Sequence, residues 1–311
     1  MLVILTITLN PAIDVTHRVA RLEVGGTNRV SEVSEQPGGK GVNVSRVLHQ
    51  MGHATVASGL LAGATGEQLR SALRGQGVVE DFFDSGSMSK TRRTVTIVSG
   101  ESGQATVLNE PGPDVGSVDW DALFRHLSAL IETAELVVLT GSLPPAVPTD
   151  AYGQLAAAAA AHAVPVIVDA GGRALMHALT AHPDLIKPNS DELAAATGSR
   201  NALDGGGALV RAGAQRVVVS AGADGMTGLD AAAAWHASPP SLCAVNPTGA
   251  GDAAVAALAV GLVAGDDWEG LLRRATAWSA AAVMEPHAGH LDADRADAYA
   301  SLVTVSRLGL A

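Results

Sequence analysis

The 311-residue sequence contains a single cysteine, Cys243, so an intrachain disulfide is impossible. Such low cysteine usage is typical of a reducing compartment, and we expect a cytoplasmic protein. The ten histidines are dispersed, and no Cys/His cluster has the spacing of a zinc site. The Gly-x-Ser-x-Gly element of many serine hydrolases is also missing. These absences exclude a disulfide framework and argue against a zinc-stabilised domain and an α/β-hydrolase site.

Positive charge and long apolar runs are scarce as well. The chain has 20 Lys and Arg against 31 Asp and Glu, for a formal net charge of −11. This balance argues against nonspecific binding of nucleic acid or of an anionic membrane. No apolar run is long enough to span a bilayer, and residues 1–9 lack the basic start of a signal peptide. We therefore expect no nucleic-acid or membrane partner, and we interpret residues 1–9 as a strand.

Aromatic residues make up 3% of the chain while hydrophobic residues make up 47%, so the core must consist of Ala, Val and Leu. Beyond residue 118, short apolar runs alternate with helical patterns, which predicts an α/β fold with a mostly parallel sheet covered on both faces. Segments at about 15–34 and 91–110 instead show short alternation around glycine turns, which predicts a small separate β-sheet. The run 204–207, Asp-Gly-Gly-Gly, predicts a surface loop.

Residues 246–252, Asn-Pro-Thr-Gly-Ala-Gly-Asp, form a glycine-containing loop before an apolar run that predicts a buried helix. Such a helix start offers unpaired N–H groups to an anion. Asp252 would repel a bound anion, but it fits a base that takes the proton of a hydroxyl attacking a phosphoryl group. The alternative is a tight turn in which Asp252 is a helix cap. Because the helix dipole favours the ionised carboxylate, we expect Asp252 to be a weak base.

A second glycine loop, Gly38-Gly39-Lys40-Gly41-x-Asn43, combines close backbone approach with a point charge and an amide. It lacks the Lys-Ser/Thr ending of a Walker A loop. The functional interpretation is a loop that holds a polar ligand. The alternative is an ordinary glycine turn with a surface lysine.

Two further motifs carry positive charge. In Lys187-Pro188-Asn189-x-x-Glu192, the lysine could reach a phosphate, and Asn189 with Glu192 could order water around Mg²⁺. The alternative is a helix start with an Asn cap and an acidic first turn. In Lys90-Thr91-Arg92-Arg93, Arg92 could capture an anionic group, or the cluster could be a solvated hairpin end. These motifs follow predicted strands or begin helices, where open α/β sheets bind ligands, so we expect one composite site.

Taken together and in order, these motifs resemble those of the PfkB/ribokinase family of sugar kinases. Four more segments carry the resemblance: Asn10-Pro11-x-x-Asp14, Asn109-Glu110-Pro111-Gly112-Pro113, Gly141-Ser142-Leu143-Pro144-Pro145 and Val219-Ser220-x-Gly222-x-x-Gly225. Each motif alone is weak, whereas the ordered set is specific. The chain is most similar to the phosphosugar branch, which contains 1-phosphofructokinase and tagatose-6-phosphate kinase. It departs from the family pattern at Ala146, at 170–172, at Ala221 and within 278–289.

The resemblance implies a single ribokinase-like domain over residues 1–311, with three α/β/α layers and the small sheet as a lid. It implies a kinase that uses ATP and Mg²⁺ on a small sugar phosphate, and a homodimer formed through the lid. The substrate we expect is fructose 1-phosphate, which would become fructose 1,6-bisphosphate. The alternatives are tagatose 6-phosphate or fructose 6-phosphate, another sugar or nucleoside, or a sensor that binds a sugar phosphate without catalysis.

The resemblance also assigns roles to residues. Asp252 would be the catalytic base, with the amides of Gly249, Ala250 and Gly251 as its anion hole. The residues implied to bind the substrate are Asp14, Gly38, Gly39, Lys40, Asn43, Arg92 and Ser142, with Lys40 and Arg92 near its phosphate. The residues implied on the ATP side are Lys187, Asn189, Glu192, Ser220, Gly222 and Gly225, and Glu192 would hold Mg²⁺ through water.

Overall fold

The computed structural model of the chain describes residues 3–86, 89–114, 116 and 118–309. The strands are β1 (Ile4–Thr8), β2 (Ala12–Val19), β3 (Val30–Gly38), β4 (Thr55–Leu61), β5 (Val79–Asp84), β6 (Arg92–Ser99), β7 (Ala105–Asn109), β8 (Leu136–Thr140), β9 (Val166–Asp169), β10 (Leu185–Ile186), β11 (Val217–Ser220), β12 (Met226–Leu229), β13 (Ala234–Ser238) and β14 (Thr304–Leu308). The helices are α1 (Lys40–Gln50), α2 (Gly63–Gly75), α3 (Trp120–Ile131), α4 (Ala151–Ala161), α5 (Gly172–Ala178), α6 (Ser190–Thr197), α7 (Ala202–Arg211), α8 (Ala250–Ala264), α9 (Trp268–Ala282) and α10 (Ala293–Ala300). The strand predicted at 1–9 is observed as β1, and residues 1 and 2 lie outside the described residues.

Ten strands form the large sheet, in the order β14-β13-β12-β11-β10-β9-β8-β1-β4-β5. The strands from β11 to β5 are parallel, and β12, β13 and β14 add an antiparallel edge. All five residues of β1 and of β8 are buried, as expected for strands covered on both faces. Separate apolar cores lie on the two faces. The predicted three-layer α/β/α fold with a mostly parallel sheet is therefore confirmed.

Helix α8 runs through one of these cores and carries the loop at 246–252 at its start. Its residues from Ala253 to Val260 are all buried, because Ala, Val and Leu face every direction around the helix. At 15 residues it is a core helix. Within the described parts of the chain, no helix is long and apolar enough to cross a membrane.

Four strands form the small sheet, in the order β3-β2-β6-β7, and this confirms the predicted separate sheet. Strands β2 and β6 are parallel, while the two outer pairs are antiparallel. The first pair of strands extends beyond the predicted segment 15–34, because β2 starts at Ala12 and β3 continues to Gly38. Asp14 is therefore part of β2. Strands β6 and β7 lie within the predicted segment 91–110.

The surface loop predicted at 204–207 is wrong, since these residues belong to α7. Asn201 caps this helix by accepting hydrogen bonds from the N–H groups of Leu203 and Asp204. A Cβ atom on Gly205 would lie 2.9 Å from Leu193 Cγ, and one on Gly206 would lie 2.6 Å from Leu229 Cδ2. The glycines let α7 approach α6 and β12 closely. Packing and capping thus outweigh the low helix propensity of three consecutive glycines.

Candidate active site

Most of the predicted site residues meet at the carboxyl edge of the large sheet. A cavity of about 420 Å³ opens there beside the ends of β8 and β9 and the starts of α1 and α6. Its wall consists of Lys40, Gly141, Ser142, Leu143, Thr149, Gly171, Arg173, Ala174 and Glu192. Two lone motifs, the Lys40 loop and the Glu192 helix start, therefore line one cavity although 152 residues separate the two side chains.

Asp252 lies in the first turn of α8, with only 7% of its surface exposed. The N-cap residue of the helix is Gly249, which has a left-handed conformation, φ 89°, so no side chain caps the helix. Asn43 Nδ2 donates a hydrogen bond to Asp252 Oδ2 at 2.8 Å. Asp252 is therefore not the helix cap that the alternative interpretation required. Its carboxylate instead contacts an amide from the other glycine loop.

Burial raises the pKa of Asp252 to about 7, although the hydrogen bond from Asn43 and the charges of Lys40 and Lys187 act in the opposite direction. The negative charge of Asp169 raises this pKa further. The expectation that Asp252 is a weak base is therefore wrong. The loss of hydration in the core outweighs the helix dipole, which is worth about 1 kcal/mol at such a position. A carboxylate with this pKa is poised to accept a proton near neutral pH.

Asp169, at the end of β9, lies between two lysines. Its Oδ1 atom is 3.3 Å from Lys187 Nζ, and its Oδ2 atom is 3.4 Å from Lys40 Nζ. Thr140 Oγ1 donates to the same Oδ2 atom at 3.2 Å. Burial opposes ionisation of this carboxyl, but Lys187 and Lys40 outweigh it and hold the pKa of Asp169 below its usual range. The pattern of the sequence predicts no role for Asp169 beyond the end of a strand.

Lys40 also pairs with Glu192, whose Oε1 atom lies 3.4 Å from Lys40 Nζ. Burial disfavours the ammonium ion, but Asp169, Glu192 and Asp252 outweigh burial and raise the pKa of Lys40. The lysine therefore stays charged. A Cβ atom on Gly251 would lie 3.6 Å from Lys187 Nζ, so Lys187 borders the loop before α8. The two lysines bring positive charge to the place where the glycine loop presents its amides.

Asn189 and Glu192 form a capping box at the start of α6. Asn189 Oδ1 accepts from the N–H groups of Asp191 and Glu192, and Glu192 Oε2 accepts from the N–H group of Asn189. The structural interpretation of this motif is thus correct, yet the other Glu192 oxygen faces the cavity. The second oxygen is paired with Lys40 at 3.4 Å. A single carboxylate in the cavity wall suits Mg²⁺, which usually binds one or two carboxylates together with water and phosphate oxygens. Among the described residues no three His, Cys, Asp or Glu side chains form a protein metal cage.

Asp14 and Arg92 lie where the small sheet joins the large one. A Cβ atom on Gly38 would overlap the Asp14 carboxylate, so any side chain at residue 38 would displace that carboxylate. Burial raises the pKa of Asp14 to about 6, and Arg92, Thr94 and Arg46 partly offset it. Arg92 donates to the carbonyl oxygens of Asn10 and Glu110 at 3.1 and 3.4 Å. Arg92 is therefore held at the junction and is not part of a solvated hairpin end.

Two other predicted groups lie on the same edge. Ser142 is exposed in the cavity wall, and its Oγ atom accepts from Asn10 Nδ2 at 3.2 Å. Ser220 forms an isolated β-bridge with Asn189, which is the N-cap residue of α6. Gly222 and Gly225 belong to the turn between β11 and β12. Among the described residues, the predicted site residues that line the cavity are Lys40, Ser142 and Glu192, and the other predicted residues lie outside its wall.

Known proteins resemble the chain over nearly its whole length. The model of the pfkB family carbohydrate kinases matches residues 2–294. The tagatose-6-phosphate kinase of Staphylococcus epidermidis is 32% identical over 302 residues, which cover 94% of this chain and 96% of that relative. The structure of Escherichia coli phosphofructokinase-2 in complex with fructose-6-phosphate is 29% identical with a TM-score of 0.86, covering 97% and 99% of the two chains. A possible 1-phosphofructokinase from Thermotoga maritima is 25% identical with a TM-score of 0.87, covering 99% and 100%.

Proposed function

The chain belongs to the pfkB family of carbohydrate kinases, and on that premise we propose that it transfers the γ-phosphoryl group of ATP to a hydroxyl of a ketose phosphate. Kinases of this family use ATP as the phosphoryl donor. The observation that carries the proposal is Asp252, a buried carboxylate with a pKa of about 7, held by Asn43 at the start of α8. A base of this kind beside amides and lysines suits phosphoryl transfer better than binding alone.

In the proposed reaction the sugar hydroxyl attacks the γ-phosphorus atom while Asp252 accepts the hydroxyl proton. The bond between the γ-phosphorus and the bridging oxygen breaks, and ADP leaves. The N–H groups from Gly249 to Gly251, at the start of α8, have no partners within the helix and would face the charge that develops on the phosphoryl group. The N–H group of Ala250 donates to Pro247 O at 3.4 Å, a long contact that a phosphoryl oxygen would replace. Lys187 adds positive charge on the same side, 3.6 Å from the position of a Cβ atom on Gly251.

We further propose that the ATP side consists of Lys187, Asn189, Glu192, Ser220, Gly222 and Gly225. Glu192 is the residue that would hold Mg²⁺ through water, since one of its oxygens faces the cavity. When bound, Mg²⁺ would neutralise charge on the phosphates. Lys40 pairs with Glu192 and Asp169 at 3.4 Å. When a phosphate binds, Lys40 would exchange one of these partners for a phosphate oxygen.

The sugar side of the proposed site consists of Asp14, Gly38, Gly39, Lys40, Asn43, Arg92 and Ser142. Asp14 would accept hydrogen bonds from sugar hydroxyls, and Asn43 would donate to them. Arg92 and Lys40 would bind the phosphate group that the sugar already carries. We propose fructose 1-phosphate as the substrate. Tagatose 6-phosphate is the second candidate, because the relative that is 32% identical is a tagatose-6-phosphate kinase.

The acceptor is tested by measuring ADP release with fructose 1-phosphate, fructose 6-phosphate, tagatose 6-phosphate, fructose and ribose, each at limiting concentration. The proposal expects kcat/KM to be highest for one of the three ketose phosphates. If fructose or ribose turns over with a higher kcat/KM than all three phosphates, the phosphosugar proposal fails. The ranking among the three phosphates decides between the two candidates.

Replacing Arg92 by alanine should raise KM for the ketose phosphate by about 10- to 100-fold, the loss expected for a charge-assisted hydrogen bond worth about 1.5–3 kcal/mol. The effect on kcat/KM for unphosphorylated fructose should be small, since that sugar offers no anion. Arg93→Ala is the matched control, because Arg93 is the next residue of β6 and its side chain is exposed. An equal loss on fructose and on the ketose phosphate would show that Arg92 only maintains the junction of the two sheets.

The small sheet carries an exposed apolar surface on its two edge strands. Val30 and Val33 of β3 and Val107 and Leu108 of β7 are all exposed, Val33 to 55% and Leu108 to 56%. Edge strands with such side chains favour pairing with another chain. We propose that the small sheet is a lid over the sugar and that a homodimer forms through it.

Light scattering should give the mass of a dimer for the unmodified protein and a lower mass for Val33→Glu and Leu108→Glu. Buried at an interface, each new carboxylate would lack a partner. Val79→Glu is the control, because Val79 is 61% exposed on β5, the edge of the large sheet. A monomeric mass for the unmodified protein at high concentration with substrate present would contradict the dimer.

A further inference from the structure

Arg46 of α1 is an arginine that is almost completely buried, with 1% of its surface exposed. Its guanidinium contacts Gln76 Oε1 at 2.8 Å, Ala288 O at 3.0 Å, Pro37 O at 3.3 Å, Gln36 Oε1 at 3.3 Å, Asn43 Oδ1 at 3.5 Å and His290 Nε2 at 2.8 Å. These partners are amides, carbonyls and an imidazole, and none is a carboxylate. A buried charge costs stability unless a countercharge pairs with it. The Asp14 carboxylate attracts the guanidinium without a hydrogen bond to it, and burial outweighs this attraction and lowers the pKa of Arg46. Arg46 is therefore costly for stability, and its position suggests another role.

The side-chain amide of Asn43 lies between this cation and the Asp252 carboxylate. Arg46 NH1 contacts Asn43 Oδ1 at 3.5 Å, and Asn43 Nδ2 donates to Asp252 Oδ2 at 2.8 Å. A guanidinium has only donors and an ionised carboxylate has only acceptors. The amide can satisfy both neighbours in one orientation only, with its oxygen towards Arg46 and its nitrogen towards Asp252. The reversed amide would place an oxygen against the carboxylate.

From this geometry we propose that Arg46 is a positioning residue, which orients the Asn43 amide so that it donates to the base Asp252. The proposal rests on the proposed function, in which Asp252 accepts the proton. Arg46 does not touch the reacting atoms under this proposal. It acts on the base through Asn43.

The same guanidinium holds the backbone that packs behind the anion loop. Arg46 NH1 donates to Ala288 O, and a Cβ atom on Gly249 would lie 3.0 Å from Ala288 Cα. Next in the chain, a Cβ atom on Gly289 would lie 2.6 Å from Arg46 NH1 and 2.8 Å from Asn43 Oδ1. A methyl group at Gly289 would therefore force the Arg46 guanidinium, the Asn43 amide or the loop to shift, although neither Arg46 nor Asn43 is itself substituted.

A misoriented amide would change the acidity of Asp252. The charged groups that act on this carboxyl are Lys40 of α1, Lys187 after β10 and Asp169 of β9, and neither substitution removes any of them. Loss of a hydrogen bond that favours the ionised form raises the pKa of a carboxyl. We expect the acidic limb of the pH profile of kcat to move upward by about one pH unit when the amide is no longer oriented.

The test compares the pH profiles of kcat for the unmodified enzyme, Arg46→Lys and Gly289→Ala. ATP and ketose phosphate are saturating, so that the sugar stays bound to Asp14, whose own pKa is about 6, throughout the profile. Lysine keeps the charge but loses the planar array of donors. Gly265→Ala is the matched control, since Gly265 has φ 74° against 72° for Gly289 and has open space around it. The proposal expects an upward shift of the acidic limb for Arg46→Lys and Gly289→Ala and none for Gly265→Ala.

A merely structural role for Arg46 would lower stability and leave the acidic limb unmoved in folded variants, and that result overturns the proposal. If Arg46→Lys does not fold, Gly289→Ala decides alone, because it keeps the arginine and alters a loop. Failure of the proposed function is distinguishable from failure of this inference. If Asp252 is not the base, Asp252→Asn retains kcat, and this result does not depend on whether the acidic limb moves in Arg46→Lys.

Discussion

Asp252→Asn is expected to lower kcat by about 10²- to 10⁴-fold, the range typical of general-base catalysis. Asparagine keeps the shape of the side chain and can still accept the hydrogen bond from Asn43, but it cannot take a proton. Steady-state kinetics with ATP and the preferred ketose phosphate measures the loss. ATP affinity, measured by calorimetry, should change little because the amides of Gly249 to Gly251 remain.

The pH dependence of the unmodified enzyme follows from the same carboxyl. Its pKa in the folded protein, about 7, exceeds the ordinary value of 3.8, so below pH 7 Asp252 is protonated and cannot act as a base. Activity should therefore fall as the pH drops through 7. The raised pKa also means that the folded state loses stability as the pH rises from about 4 to 7, because in this range the carboxyl is ionised in the unfolded chain and still protonated in the folded one. Asp252→Asn removes that cost, so the variant should be at least as stable as the unmodified protein at pH 8.

Asp267→Asn is the matched control for this substitution. Asp267 is a true helix cap, since it accepts from the N–H group of Gly270 at the start of α9, and asparagine caps equally well. Its kcat should be unchanged. Near-normal kcat in Asp252→Asn would mean that Asp252 has only a structural role, and the proposed mechanism would be wrong.

Asp169→Asn is expected to lower the free energy of unfolding by about 3 kcal/mol, the low end of the cost of breaking a buried ion pair. Lys187 is 3% exposed, and its ammonium would lose the carboxylate that lies 3.3 Å away. Because Asn is nearly the same size as Asp, packing changes little and the effect reports the charge. Urea denaturation at pH 7 measures it, where Asp169 is ionised, since its pKa lies below the usual range.

Asp266→Asn provides the comparison. Asp266 pairs with Arg274 at 2.8 Å, but both side chains are partly exposed, at 21% and 35%. Partly exposed pairs contribute about 1 kcal/mol or less. Equal destabilisation by the two substitutions would show that the buried cluster of Asp169 with Lys40 and Lys187 contributes no more to the free energy of unfolding than a partly exposed pair does.

The interior strands could be predicted from the sequence because they are short apolar runs bounded by breakers. Strand β8, for example, is the apolar run Leu136–Thr140, and Gly141 follows it. The edge strands β5 and β14 were missed, since most of their residues are partly or fully exposed and they lack a continuous apolar run. The glycines of α7 were misread because the leucines that need space beside them come from other elements.

The site divides in the same way. Glycine loops and helix starts are local features, so Lys40, Glu192 and Asp252 could be identified before their distances were known. The pKa of Asp252 could not, because it depends on burial that only the packed helix provides. Asp169 and Arg46 are single charged residues within ordinary local patterns. Their importance lies in contacts with residues distant along the chain, such as Lys40 with Asp169 and Arg46 with Ala288.

A single-turnover experiment tests the central claim most directly. The protein, in excess over γ-labelled ATP, is mixed with Mg²⁺ and fructose 1-phosphate, or with tagatose 6-phosphate, and the labelled products are separated after rapid quenching. We predict that the label moves to the ketose phosphate to give a ketose bisphosphate, and that Asp252→Asn slows this step by about 10²-fold or more. If the protein binds the sugar phosphate but the label stays in ATP with every ketose phosphate, the protein is a sensor and the kinase account is contradicted.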